Sequence, residues 1–278
     1  MQLKGLDFAI PGGTPLGKLT TTVKGFPADD LAGLWLPTEL GLTVGAAVSS
    51  LADLSDNGRT VSLHLGAQVP VVTDRGLQTT TAGAGFMFDT NINWGEEFTF
   101  VTANRFSHAP VANNYPCVHQ STAAFQSGGM TASNPETGVT VNVDHGAAAE
   151  NIQPAMFANA SGANFGGSPR KGVSIAAASR NDWFIAAWSY KPSTDLFIFR
   201  AKASSAILGT TSADAVTAAY MEAFGGYHAF GLARYTSSNV SGEFHGAVIY
   251  DVAKNANDID DLITRMAAHM NAAGIDTV

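Results

Sequence analysis

From Asp29 onward the chain is built of short apolar runs cut by Gly, Asn, Asp and Ser, and that punctuation commits it to paired strands. Alternation with period two is plain in Val61-Ser62-Leu63-His64-Leu65 and in Phe98-Thr99-Phe100-Val101-Thr102. It is cleanest in Val139-Thr140-Val141-Asn142-Val143-Asp144-His145, where three valines share one face of the pleat. Trp183 to Tyr190 and Leu196 to Arg200 are continuously apolar, as strands covered on both faces should be. Lys191-Pro192-Ser193-Thr194-Asp195 between them has the length of a hairpin turn. The reading is all-β: a two-sheet antiparallel sandwich.

Two stretches carry a helical period instead. Ile259, Leu262, Ile263, Met266 and Met270 fall on one helix face near the C-terminus, with Asn255 as N-cap and Asp258 in the first turn. Ser212 to Phe224 gives a second, shorter helical expectation, closed by Gly225-Gly226. Both stripes read as packing surface. His145 to Lys171 shows neither period and reads as a long loop, functional or hiding a short helix.

Charge narrows the partners. Fifteen Lys and Arg against 23 Asp and Glu leave a net charge of −8, and a pI of about 5.2 excludes a phosphate-neutralising role such as nucleic-acid binding. Charged residues are 14% of the chain, against about 25% in an average domain. A polar, weakly charged surface suits a neutral ligand or packed neighbours. The single cysteine, Cys117, excludes an intrachain disulfide framework and points to a reducing compartment. Met1 to Asp7 lacks the basic start and apolar run of a secretory signal, and no stretch reaches membrane-spanning length. Residues 1–28 read as an N-terminal arm, loose or docked on a neighbouring subunit, ahead of one sandwich domain at residues 29–278.

Three places together carry a resemblance. Leu34-Trp35-Leu36-Pro37 precedes the turn Asp53-Leu54-Ser55-Asp56-Asn57-Gly58. Trp183 to Tyr190 turns back into Leu196-Phe197-Ile198-Phe199, and Phe244 to Asp251 leads into the helix after Asn255. In order and spacing these resemble the concanavalin A-like lectin/glucanase jelly roll, in its laminin-G-like version. The resemblance covers about residues 29–278, with residues 201–226 fitting none of its standard strands. It implies a jelly-roll sandwich but not one function, because this superfold hosts lectins, enzymes and assembly proteins.

Glycosidases of this fold set paired carboxylates along one strand as E-x-D-x-x-E, and no such run occurs. Glu96 and Glu97 are adjacent, and Asp258, Asp260 and Asp261 fall on the helix. The Q-x-H and Y-x-K strands of polysaccharide lyases are absent, as is a G-x-S-x-G elbow. The seven histidines are scattered singly, without zinc spacing. The expectation is therefore no catalytic residue and no enzyme.

Asp53, Asp56 and Asn57 gather oxygens in one turn and form a candidate calcium site, although such residues also hold turns by bonding their own backbone. For sugar the candidates are Trp94, Tyr115, Tyr227, His228 and Tyr235, all close to predicted turns, with ordinary loop packing as the alternative. Trp35, Trp183 and Trp188 are expected in the core.

A lectin-like fold without an export signal resembles modules carried on bacteriophage tails and capsids, which fold in the host cytoplasm and leave on the particle. That resemblance implies a non-enzymatic virion protein, a tail fibre or decoration subunit, with other virion subunits as partners through the arm. Cell-surface polysaccharide is the implied ligand and a homo-oligomer, such as a trimer, the implied state. A diverged carbohydrate-active enzyme and a ligand-free spacer subunit remain open alternatives.

Overall fold

The computed structural model describes residues 21–64, 68–80, 85–94, 96–106, 116–121, 138–145, 149–157, 173–176, 182–203, 206–213, 226–234 and 241–276. Their strands, in chain order, begin with β1 (Thr22–Val23), β2 (Phe26–Pro27), β3 (Leu31–Trp35), β4 (Ser50–Ala52), β5 (Thr60–Leu63) and β6 (Val71–Thr73). Next come β7 (Gly76–Gln78), β8 (Phe86–Asn93), β9 (Phe98–Phe106), β10 (Pro116–Ser121), β11 (Gly138–His145) and β12 (Ala149–Phe157). The last are β13 (Val173–Ala176), β14 (Phe184–Lys191), β15 (Leu196–Lys202), β16 (Ile207–Ala213), β17 (Tyr227–Arg234) and β18 (Gly242–Tyr250), followed by helix α1 (Ala256–Ala272).

Among the described residues, two eight-stranded antiparallel sheets stack face to face. One, here the outer sheet, runs β13-β12-β11-β10-β17-β8-β5-β4; the other, the helix-side sheet, runs β16-β15-β14-β9-β18-β7-β6, with β3 also paired to β18. Each inner face contributes every second residue to a shared aromatic core, including Trp35, Phe86, Phe88, Phe100, Trp188 and Phe230. A second apolar layer lies behind the helix-side sheet. There Val101, Ile185, Val248 and Tyr250 meet Ile259, Leu262, Ile263, Met266 and Met270 of α1. Strand β14 is therefore buried at seven consecutive positions and β18 at all nine. This is why Trp183 to Tyr190 reads as a continuous apolar run.

The all-β sandwich, the hairpin at residues 192–195 and the C-terminal helix match the sequence reading. Asn255 Oδ1 accepts from the backbone N–H groups of Asn257 and Asp258, closing the first turn of α1. Asp195 closes the β14–β15 turn in the left-handed region, at φ 51°.

Other expectations change. Within the expected loop at residues 145–171, Ala149–Phe157 is strand β12, paired in unbroken register with β11. Its sequence, AENIQPAMF, does not alternate and contains Pro154, so pairing on both sides made the strand where local pattern did not. Of the helix expected over Ser212 to Phe224, Ser212 and Ala213 belong to β16, and residues 214–225 lie outside the described residues. Residues 1–20 of the expected arm also lie outside them. The end of that segment packs onto its own sandwich: β1 and β2 pair, Phe26 is fully buried beside α1, and Arg265 Nη1 donates to the Gly25 carbonyl.

Candidate functional site

The calcium candidate is a bracket in which the side chains bond their own chain. Asp53 Oδ1 accepts from the N–H groups of Leu34 and Ser55, and its Oδ2 accepts from the Ser55 hydroxyl. Asn57 Nδ2 donates to the Leu31 and Ala32 carbonyls, fastening the turn to β3. Asp56 is exposed. Calcium takes six to eight oxygens, and both Asp53 carboxylate oxygens are already spent on N–H and O–H donors, which does not fit a resident ion. Among the described residues no group of three or more His, Cys, Asp or Glu side chains converges on a metal position.

Trp94 and His228, expected near solvent, are core residues, 5% and 0% exposed. Strand alternation carries Trp94 inward with Phe86 and Phe88, and His228 lies inward beside Phe230. His228 Nδ1 lies 3.0 Å from Nε2 of His119, itself stacked on Phe100 at 3.7 Å between ring centroids. Burial among aromatic rings holds both imidazoles neutral: it pushes His228 down to about 3 and His119 well below the usual histidine range. Such a pair has no access to a soluble ligand and acts as polar packing.

Tyr227 is the described candidate that does reach solvent, at 41% exposure. Tyr115 and Tyr235 lie outside the described residues. Tyr227 pairs directly with Asn93 across β17 and β8, so both stand on one face of the outer sheet. It is the face turned away from the core, because Trp94, Phe88 and Phe230 occupy the other. Between Asp89 and Asn93 the register slips: β8 spends four residues where β17 spends two. Asn91 takes φ 57° in this bulge, and Thr90 Oγ1 donates to the His228 carbonyl. Bulges of this kind re-aim side chains, and Asn91 emerges exposed two residues from Asn93.

The polar face continues across the sheet. Asp89 pairs with Ala229 on one side and with Ser62 on the other. His64 Nδ1 lies 2.9 Å from Asp89 Oδ2, so the carboxylate orients the imidazole. Ala229 and Met87, on the same face, are buried, whereas Ser62, Asn91 and Asn93 are exposed. The open part of the face is thus the Tyr227 end: one aromatic ring, two amides and a half-buried carboxylate. Amides donate and accept together, and a phenol ring offers an apolar face with a polar rim. That combination accommodates a ligand with hydroxyls on its edges and C–H groups on its faces.

Of the residues on this face the sequence reading names Tyr227 and not Asp89, Asn91, Asn93, Ser62 or His64. The signal was present in Asn91-Ile92-Asn93-Trp94, where amides alternate with apolar side chains. A cleft of about 300 Å³ beside the start of α1 is lined by residues that include Asp29, Asp30, Lys254, Asp258 and Asp261. Lys254 Nζ lies 4.2 Å from the centre of the Tyr250 ring there.

No family model and no curated protein matches the sequence. Solved structures do match in shape. The binding domain of botulinum neurotoxin DC in complex with SialylT superposes with a TM-score of 0.51 and 11% identity, over 88% of this chain and 52% of that one. The same domain with rat synaptotagmin II gives 0.51 and 10%, over the same shares. A botulinum neurotoxin type C structure, described by its dependence on interaction with two ganglioside molecules, gives 0.51 and 12%, again over 88% and 52%. The chain spans about half the length of these proteins. At such identity the likeness establishes the lectin-like β-sandwich fold.

Proposed function

We propose that this chain is a non-enzymatic, lectin-like protein that contacts cell-surface glycan through the Tyr227 end of the outer sheet. The observation that carries the reading is the exposed Tyr227 ring beside Asn93 and Asn91 on the face opposite the core. The described neighbours of this fold, bound to SialylT or tied to gangliosides, support glycan as the ligand class. The low charge supports a ligand held by stacking and hydrogen bonds. We place the protein on a virion, as a phage tail, fibre or decoration subunit folded in the host cytoplasm and joined to other virion subunits as a homo-oligomer. The single cysteine supports that setting.

The test is a glycan array probed with the purified protein, with and without EDTA. Binding is expected, unchanged by EDTA because the Asp53 turn does not fit calcium. Tyr227→Ala is expected to weaken it at least about tenfold, the loss of roughly 1.4 kcal/mol of stacking. Absence of binding to any glycan overturns the lectin reading and leaves an assembly role. Immunodetection on purified particles tests the virion setting.

One observation favours a carbohydrate-active enzyme as second reading: the Asp89–His64 pair can orient an imidazole as a general base. Polysaccharide cleavage that disappears in His64→Gln would establish it.

A further inference from the structure

We propose that Arg75 and Arg105 form a binding site for a compact oxyanion, the carboxylate of an acidic sugar or a phosphate group, on the helix-side sheet. Glu243 of β18 pairs directly with Arg105 of β9 and with Gln78 of β7, so these three side chains share one face. It is the face turned away from the inter-sheet core, because the adjacent residues Phe244, Phe106 and Leu77 belong to that core. Tyr227 stands on the other sheet, so the site does not depend on the glycan reading.

The turn between β6 and β7 brings the second guanidinium. Gly76 lies so close to β18 that a Cβ there would collide with the Phe244 carbonyl, and its φ of 138° suits only glycine. His245 Nδ1 donates to the Arg75 carbonyl at 2.8 Å, and the Arg75 N–H donates to Thr73 Oγ1 at 3.2 Å. The turn is thereby pinned with Arg75 beside Glu243. Arg75 Nη2 lies 3.1 Å from Glu243 Oε1, and Arg105 Nη1 lies 3.4 Å from Oε2. One carboxylate thus sets the position of both guanidinium forks.

That arrangement leaves charge and donors unspent. Glu243 is 5% exposed and supplies one negative charge against two positive ones. Among the described residues the other acid within ion-pair distance is Asp74, with Oδ1 3.9 Å from Arg75 Nε. Its side chain is 85% exposed, where water screens the attraction. Arg75 Nε and Arg105 Nε are buried and have no hydrogen-bond partner. Buried donors and a surplus buried charge are costly unless an acceptor meets them. Both side chains also reach solvent, Arg75 at 40% and Arg105 at 31% exposure. An anion from solution therefore has access to two fixed forks of the geometry that suits carboxylate and phosphate oxygens. Gln78, exposed in the same row, offers an amide to the rest of the ligand. The chain's net charge of −8 makes this attraction local and sensitive to salt.

Isothermal titration calorimetry on the full chain tests this, with sodium phosphate and sodium glucuronate as probes at up to about 10 mM and sodium chloride at matched ionic strength as control. One site with a Kd of about 1 mM is expected for at least one of the two anions. Binding of phosphate alone identifies a phosphate group as the ligand, and binding of glucuronate alone a sugar carboxylate; either result supports the site. Arg75→Gln and Arg105→Gln should each weaken binding at least about tenfold, and Arg75→Lys, which keeps the charge without the fork, by less. Asp74→Asn, at an exposed turn position that leaves the fold untouched, should tighten it about twofold by removing the competing carboxylate. Neither anion binding overturns the proposal. So does a signal that sodium chloride reproduces, or binding that both Arg→Gln variants leave unchanged.

Discussion

At the scale of single residues, burial of neutral polar groups sets how the protein responds to acid. His228, His119 and His245 are all 0% exposed, and burial lowers each: His228 to about 3, His245 to about 4, and His119 in the same direction. In the unfolded chain each takes up a proton near the ordinary 6.5, while the folded state resists it. Stability contributed by the neutral imidazoles is complete above pH 6.5 and declines as the pH falls towards 3 to 4. Urea midpoints measured from pH 7.5 to 4.5 are expected to fall steadily, and His228→Leu should flatten that slope.

Gly33 makes a different point at the same scale. The Trp35 ring lies over Gly33, in the space that a Cβ would need. Gly33→Ala must displace a fully buried indole or bend β3, an overpacking cost of about 1–3 kcal/mol. Chemical denaturation should show that loss with an unchanged m-value.

At the scale of elements, helix α1 was legible because its period, cap and first-turn acid agree. Asn255→Ala removes the acceptor for two N–H groups and should cost about 1 kcal/mol, read as a lower melting temperature and faster amide exchange in the first turn. The hairpin between β14 and β15 was legible for the same reason, a turn signal between two aromatic runs. Strand β12 was not, because its backbone is held by β11 and β13 and its own side chains carry no alternation. Trp94 was misplaced by its position near a turn: Gly95 follows it, yet the inward parity of β8 persists through the bulge at residues 90–92.

For the whole molecule, the described helix-side sheet lies between the inter-sheet core and α1, and the outer sheet faces that core from the other side. Protection from exchange should follow that layering. Amides in the middle of β9, β14 and β18 are expected to exchange last, at the global unfolding free energy, and those of β4 first. Hydrogen exchange read by mass spectrometry checks the order. Exchange in β18 as fast as in β4 would contradict the layered description.

The amino-acid sequence by itself determined the strands with clean alternation, the hairpin, the capped helix and the burial of Trp35, Trp183 and Trp188. Each rests on a local period or on a turn read within a few residues. Only the tertiary structure decided that Tyr227 and Asn93 share the face of the outer sheet opposite the core, and that His119 and His228 meet 109 positions apart in the core. Those outcomes depend on which strands become neighbours. Pairing joins residues far apart along the chain, and no local pattern encodes the partner.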